Sequence, residues 1–388
     1  MRKLAIITSH PIQYNAPWFR LVTERKKIEI KVFYTWGQLE SESKHDPGFG
    51  KDVDWDIPLL EGYEYCFVKN ISKKPGSYHY SGINNPTLIK EVEAYMPDAV
   101  LVFGWNFKSH LHAIRYFHKK VPLYFRGDSV IKNENQVKSL IKKEILRWVY
   151  HHVDKAFFTG TLNKQYFIHY GLKESQLKFA PHAIDNSRFC VNAGDFEKKA
   201  IEWRSNLNID PNDKVLLYAG KFEEIKNLEW LIDTVKQLND VPFKLLMVGS
   251  GPLEPKLKKV AEGTNKIIFL EFQNQQLMPV VYRLGDIFIL CSHSETWGLS
   301  VNEAMACGRP VLINDNCGCS SDLVINGTNG YIFKSYDKMD FINKLTSLLS
   351  FGDLKKMGKG SRDLVKTWSF DQICSTLENC VINETLKN

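Results

Sequence analysis

Cys291-Ser292-His293-Ser294-Glu295-Thr296-Trp297-Gly298-Leu299-Ser300-Val301-Asn302-Glu303-Ala304-Met305-Ala306-Cys307-Gly308-Arg309-Pro310-Val311 is the stretch on which the reading of this chain turns. The apolar run 286–291 leads into it and a second one begins at Val311, so it reads as strand, loop, helix and strand, the repeating unit of an open α/β sheet. Ligands of such sheets bind at the carboxyl ends of the strands, which makes the loop after residue 291 the first place to look for chemistry. It carries one carboxylate, Glu295, and the helix carries a second, Glu303; the two are expected to face one pocket. The helix is expected over 299–307, with Ser300 as its cap, Glu303 in the capping-box position and Gly308 taking the left-handed conformation after its end. Glu303 is therefore either a cap or a ligand. The backbone N–H groups of Gly298, Leu299 and Ser300, with the helix dipole behind them, offer a site for an anion such as a diphosphate.

Outward from this segment the same alternation continues. Runs rich in Val, Ile, Leu, Phe and Tyr at 215–220, 243–248, 267–270, 286–291, 311–313 and 331–333 are separated by helical spacing at 227–238, 253–262, 299–307 and 338–350. An equivalent series precedes it, with strands at 3–9, 28–36, 98–104, 121–126 and 155–160 and helices at 15–25, 85–95, 108–119 and 136–152. Two doubly wound parallel sheets follow, each in a Rossmann-like α/β domain, facing a central cleft. The boundaries fall at 1–188 for an amino-terminal domain and 189–367 for a carboxyl-terminal domain, with a linker in the polar stretch 189–208. Residues 368–388 form an amphipathic helix that returns to the first domain.

Composition excludes several classes. With 44% hydrophobic and 24% charged residues the chain is an ordinary globular one, without low-complexity tracts. Apolar runs such as 99–104 and 287–291 are far short of the roughly 20 residues that span a bilayer. The start, Met1-Arg2-Lys3-Leu4-Ala5-Ile6-Ile7-Thr8, reads as a buried strand rather than a signal peptide because its apolar stretch stops at His10-Pro11. Eight cysteines without paired CxxC spacing indicate reduced thiols and a cytoplasmic location; Cys317-Gly318-Cys319 reads as a loop, with a metal or redox pair as the alternative. The net charge of +7 arises between residues 101 and 190, where 15 basic side chains meet 6 acidic ones. That excess suits an acidic ligand or an anionic membrane surface, while sparse aromatic interleaving speaks against nucleic acid.

The spacing Glu295-x-Trp297-Gly298 to Glu303-Ala304-Met305-Ala306, closed by Gly308-x-Pro310-Val311, resembles the donor motif of the retaining GT-B glycosyltransferases of family four, glycosyl transferases group 1. Further landmarks follow in order. Gly220-Lys221-Phe222-Glu223-Glu224-Ile225-Lys226 resembles the family's G-R-L-x-x-x-K element, with Lys221 where arginine is usual; Gly249-Ser250-Gly251-Pro252 resembles its G-x-G-P turn. Pro181-His182-Ala183-Ile184-Asp185 is similar to its P-N-G-V-D segment, and Asp322 to Gly330 to its E-L-x-x-x-G-x-x-G turn. The resemblance covers about residues 177–335 and implies GT-B architecture for the whole chain.

The resemblance also implies roles. Glu295 would contact hydroxyls of the transferred sugar, Glu303 the nucleotide ribose, and Lys221 and Lys226 the donor diphosphate. Gly220, Gly249, Gly251, Trp297, Gly298, Leu299 and Ser300 would line the donor. A lysine is a point charge, so phosphate is held less rigidly at Lys221 than by arginine. On the acceptor side the loop after the first strand offers His10 and Gln13, and Phe125-Arg126-Gly127-Asp128 offers Arg126 for an anionic acceptor and Asp128 to orient the incoming hydroxyl. Asp128 is equally a turn or cap aspartate, and a lone loop histidine such as His10 is more often a structural group. Residues 137–150 place apolar positions among lysines, as a core-packed helix or as one lying at a membrane interface.

The implied reaction moves a hexosyl group from a nucleoside diphosphate sugar, such as a UDP or GDP sugar, to a saccharide or lipid-linked saccharide, with retention. Cell-surface polysaccharide, lipopolysaccharide or capsule synthesis would be its setting, at the inner face of the cell membrane. It would need no metal and no cofactor beyond the nucleotide sugar. The alternatives are a sugar phosphorylase or nucleotide-sugar epimerase on the same fold, or a catalytically silent sugar-binding subunit.

Overall fold

The computed structural model describes residues 1–37, 44–46, 48–131, 136–238 and 242–383, and side chains at all of these except 44, 45, 136–139 and 351. The strands in chain order are β1 (Lys3–Thr8), β2 (Glu29–Tyr34), β3 (Lys44–Asp46), β4 (Lys51–Val53), β5 (Glu64–Phe67), β6 (Ala99–Phe103), β7 (Leu123–Arg126), β8 (Lys155–Phe158) and β9 (Leu177–Phe179). They continue as β10 (Lys214–Ala219), β11 (Phe243–Val248), β12 (Ile267–Leu270), β13 (Ile287–Leu290), β14 (Val311–Asn314) and β15 (Gly330–Phe333). The chain divides into two compact units: Met1–Glu42, Pro58–His182 and Phe370–Asn388 form the first, Ser43–Ile57 and Ala183–Ser369 the second.

The first unit is built on a seven-stranded sheet in the order β5-β2-β1-β6-β7-β8-β9, parallel throughout. Leu4, Ala5, Ile6 and Ile7 of the interior strand β1 are fully buried, as a strand covered by helices on both faces requires. Helix Ala16–Arg25 starts with proline in its first turn, where the missing N–H is no loss, and turns Trp18, Phe19 and Val22 inward. The terminal helix Phe370–Ile382 packs against it. Arg25 bridges the pair, 2.9 Å from Asp371 and 2.8 Å from the buried Glu378, and Tyr124 donates to the Cys380 carbonyl at 3.0 Å. Ile373, Cys374, Leu377 and Val381 supply the apolar face.

The second unit is built on a six-stranded parallel sheet in the order β12-β11-β10-β13-β14-β15. The chain starts in the middle at β10, runs outward through β11 and β12, then returns to β13 on the other side of β10. Between β10 and β13 the winding reverses, the point at whose carboxyl ends open α/β sheets bind their ligands.

Two features differ from the sequence reading. The chain passes between units at His182/Ala183 and Ser369/Phe370, not at 188/189 and 367/368, because Asp185 caps the short helix Asn186–Cys190 whose Phe189 is already in the second unit's core. Ser43–Ile57 belongs to the second unit although it lies within the first 188 residues. Its strands β3 and β4 pair antiparallel over three residues each, too few to show any periodicity in sequence.

Candidate functional site

The switch point brings three loops together. After β10 the chain runs Gly220-Lys221-Phe222, and the turn after β11 is laced to it: Gly220 N donates to Val248 O at 3.0 Å and Phe222 N to Ser250 O at 2.9 Å. A Cβ at Gly249 would stand 1.9 Å from Gly220 O, so only glycine permits this approach. On the other side of β10, His293 N donates to Ile225 O at 2.8 Å and ties the loop after β13 to the short 3-10 turn Glu224–Lys226.

That lacing places Lys226 and Glu295 face to face. The Lys226 ammonium donates to Glu295 Oε2, and Ser292 Oγ stands 3.4 Å from the same oxygen. Both ion-pair side chains are 19% exposed, so the pair is sheltered but reachable. The Glu295 main chain is pinned as well, its N–H donating to Asn316 O at 3.2 Å and its carbonyl accepting from Gly318 N at 3.0 Å.

Lys221 is held differently. Its Nζ donates to Asp46 Oδ1 at 2.8 Å and lies 5.0 Å from the Phe49 ring centre, both residues of the excursion Ser43–Ile57. Gly251 lies in the turn that meets this excursion, with Phe222 and Gly48 backbone close about it.

Helix Leu299–Ala306 opens on Gly298, whose φ of 99° and ψ of 62° place it in the left-handed region that glycine adopts without strain. The expected cap at Ser300 is therefore corrected: Gly298 holds that position and no side chain caps the helix. Leu299 and Ser300 lie in its first turn, where backbone N–H groups precede the first i→i−4 bond. Gly308 has φ of 73°, the expected left-handed exit.

Glu303 is no capping-box residue. Its carboxylate, 3% exposed, accepts from the fully buried Tyr282 hydroxyl at 2.6 Å. Glu295 and Glu303 thus have different partners and different exposure, where sequence had them facing one pocket alike. Trp297 is also corrected from a donor-lining ring: it is buried, donates to Asn302 Oδ1 at 2.8 Å and packs on Trp368 with ring centres 4.9 Å apart. The ring fixes the loop that carries Glu295.

In the first unit, Arg126 is buried with its two terminal nitrogens donating to the carbonyls of Ala180 at 2.8 Å and Pro181 at 3.0 Å. Burial pulls its pKa down to about 10. An arginine so occupied shapes the backbone after β9; the expected contact with an anionic acceptor is corrected to this structural one. Asp128 Oδ2 lies 3.7 Å from His182 Nε2. The interaction with His182 holds the Asp128 carboxyl below its ordinary range, while burial depresses the His182 imidazolium. His10 Nδ1 is 3.0 Å from Ser9 Oγ and its ring meets Trp36 edge-on at 5.0 Å; Gln13 is half-buried in the turn before helix Ala16–Arg25.

Sequence reading passed over Asp46, Tyr282 and His182 as partners of its candidates, since each is brought in by tertiary packing rather than spacing. Cys317 and Cys319 are buried thiols held protonated by that burial. Among the described residues, no group of three or more His, Cys, Asp or Glu side chains is arranged to hold a metal ion.

Residues 199–363, which include all three loops, match the family described as glycosyl transferases group 1. The second unit carries a group 1 glycosyltransferase domain. Around that domain the whole chain has the GT-B fold. It superposes on a glycosyltransferase from Rickettsia africae with a TM-score of 0.74 at 15% identity, covering 99% of each chain. It superposes on Anabaena HepE, solved in complex with UDP and glucose, with a TM-score of 0.70 at 17% identity, covering 99% of this chain and 100% of that one. In sequence it is 23% identical over 312 residues to the sulfoquinovosyl transferase of Arabidopsis thaliana, covering 76% of this chain and 58% of that protein. The chain spans between 40% and 58% of the length of four curated relatives it matches. The matched residues thus lie within the unit whose switch point carries Lys221, Lys226 and Glu295.

Proposed function

We propose that the chain is a glycosyltransferase that moves a hexosyl group from a nucleoside diphosphate sugar to a saccharide or lipid-linked saccharide acceptor, with retention of anomeric configuration. The observation that carries this reading is the Lys226–Glu295 pair at the reversal of winding, inside the group 1 domain. Breaking the bond between anomeric carbon and diphosphate leaves negative charge on the leaving group and positive charge on the sugar. In this reading Lys226, Lys221 and the amides opening helix Leu299–Ala306 stabilise the former, a preorganised electrostatic contribution that needs no metal. Glu295 offers two acceptor oxygens for the hydroxyls of the transferred sugar, and Glu303 the same for the ribose diol. The leaving phosphate takes the acceptor's proton. Asp128, 3.7 Å from His182, orients the acceptor hydroxyl in this reading, with His10 and Gln13 as further acceptor contacts.

Helix Gln136–Tyr150 supports a lipid-linked acceptor handled at the inner membrane face, in cell-surface polysaccharide synthesis. Leu140, Ile141, Ile145 and Trp148 are exposed along one side of it, and Arg115 stands 5.6 Å from the Trp148 ring. Val137 and Lys138, part of the interfacial reading, have side chains outside the described residues. An apolar stripe beside cations suits an anionic lipid surface. No helix among the described residues is long and apolar enough to cross a membrane.

Product analysis with a panel of nucleotide sugars and acceptors tests the function. Transfer that disappears in Glu295→Ala supports it. Product formed only with free phosphate, or without any acceptor, identifies a phosphorylase or epimerase instead. Sedimentation with phosphatidylglycerol vesicles tests the membrane face, with binding lost in Ile141→Ser/Trp148→Ser.

A further inference from the structure

The loops at the carboxyl ends of the second sheet differ in chemistry along the strand order. Beyond β12 lies an aromatic group, Phe272 with Phe49 and Trp55; beyond β11 the turn 249–251; beyond β10 Lys221; and at the switch to β13 Lys226 and Glu295. Neighbouring strands are about 4.8 Å apart, so the row extends over three intervals, about 14 Å. Rings, glycine turn, cations and carboxylate in that sequence match the parts of a nucleoside diphosphate sugar read from base to sugar.

Part of this row lies outside residues 199–363. Phe49 meets Phe272 with ring centres 4.7 Å apart, and Trp55 stands 6.4 Å from Phe272 and 6.5 Å from Phe49. All three rings are half-buried, and the ammonium of Lys51 lies 3.9 Å from the Phe272 centre. The excursion that brings Phe49 and Trp55 is fastened at both loops: Ser250 Oγ donates to Phe49 O at 3.1 Å, and Asn274 Nδ2 to Asp54 O at 2.6 Å. Next to the rings, Asp46 holds the ammonium of Lys221 at 2.8 Å, the position a diphosphate oxygen would take.

We propose that Asp46, Phe49 and Trp55 complete the nucleotide end of the donor site, the base stacking on the rings of Phe49, Trp55 and Phe272 and Asp46 holding Lys221 until the diphosphate replaces it. This rests on the donor reading above. Stacking on aromatic faces is tolerant of base identity because every base has a π-face. A carboxylate left beside a diphosphate would repel it, so Asp46 exchanges with the ligand rather than joining it. Asp46 is thus a positioning residue for Lys221, and the rings are contacts of the base.

Calorimetric titration of the full chain with UDP, GDP and inorganic pyrophosphate tests this. Phe49→Ala and Trp55→Ala are expected to weaken the better-binding nucleotide about tenfold while leaving pyrophosphate within about twofold, and Trp55→Phe to retain nucleotide binding. Asp46→Asn is expected to tighten pyrophosphate several-fold. Nucleotide binding that is unchanged in both ring variants, or nucleotide and pyrophosphate weakened equally, overturns the ring assignment, and pyrophosphate binding that is unchanged or weaker in Asp46→Asn overturns the exchange. Wild-type protein that binds neither nucleotide nor pyrophosphate overturns the donor reading itself, and this inference with it.

Discussion

Lys226 and Glu295, 69 residues apart, form an ion pair across the point where the second sheet reverses its winding. Neither end is free to drift: Glu295 is pinned through its main chain to Asn316 and Gly318, and the Lys226 carbonyl accepts from the Cys291 thiol at 3.4 Å. A sheltered, fixed charge pair is a poor way to gain stability and a good way to keep two groups at a set separation for a ligand that takes both.

Replacing Lys226 by alanine should lower kcat/KM for transfer by about 10²–10³, the usual effect of losing one preorganised electrostatic contact. Steady-state kinetics with the preferred donor measure it. A loss confined to the acceptor's KM would move Lys226 away from the leaving group.

Tyr282→Phe removes the hydroxyl that donates to the buried Glu303 carboxylate at 2.6 Å. Removing one partner of a buried hydrogen bond costs about 1–3 kcal/mol, so the urea midpoint should fall accordingly without a change in m. Because Glu303 keeps its carboxylate, activity per folded molecule should fall far less than in Glu295→Ala.

Arg126→Ala should cost about 2–4 kcal/mol of stability, since it leaves the Ala180 and Pro181 carbonyls without their buried donor. Thermal unfolding reports it. An undiminished melting temperature with an altered acceptor KM would restore the acceptor role that the sequence suggested.

His110 is fully buried between Thr35 Oγ1 and the Phe103 carbonyl, each 2.8 Å from a ring nitrogen, and burial lowers its pKa from 6.5 to about 4. The folded state refuses a proton that the unfolded chain accepts. Its contribution is therefore complete above pH 6.5 and is lost as pH falls from about 6.5 towards 4, a change of about 3 kcal/mol over the window. Urea titrations between pH 7 and 4 should show this slope, and His110→Gln should flatten it.

Both parallel sheets were readable because strands such as Val215 to Ala219 and Leu4 to Ile7 are buried on both faces and so appear as unbroken apolar runs. The Glu295-to-Val311 stretch was equally plain, since its loop, helix and stop follow each other without interruption. Strands β3, β4, β5 and β9, of three or four residues, were not, and with them went the excursion that carries Asp46. Residue type also misled where burial decides the role: an arginine after a strand reads as a ligand contact until its nitrogens are found on two carbonyls, and a tryptophan in a motif reads as a wall of the pocket until its N–H is found on Asn302. Ser300 failed as a cap because the helix begins earlier: Gly298 holds the cap position and Ser300 falls in the first turn.

The donor site itself is tested most directly by thermal unfolding of wild-type and Lys226→Ala protein across a panel of nucleoside diphosphate sugars, since a ligand bound to the folded state alone raises the transition by mass action. At least one donor should raise the wild-type midpoint by several degrees and leave the variant's almost unmoved. A panel without effect on the wild type, or the same shift in both proteins, would contradict a donor site at Lys226 and Glu295.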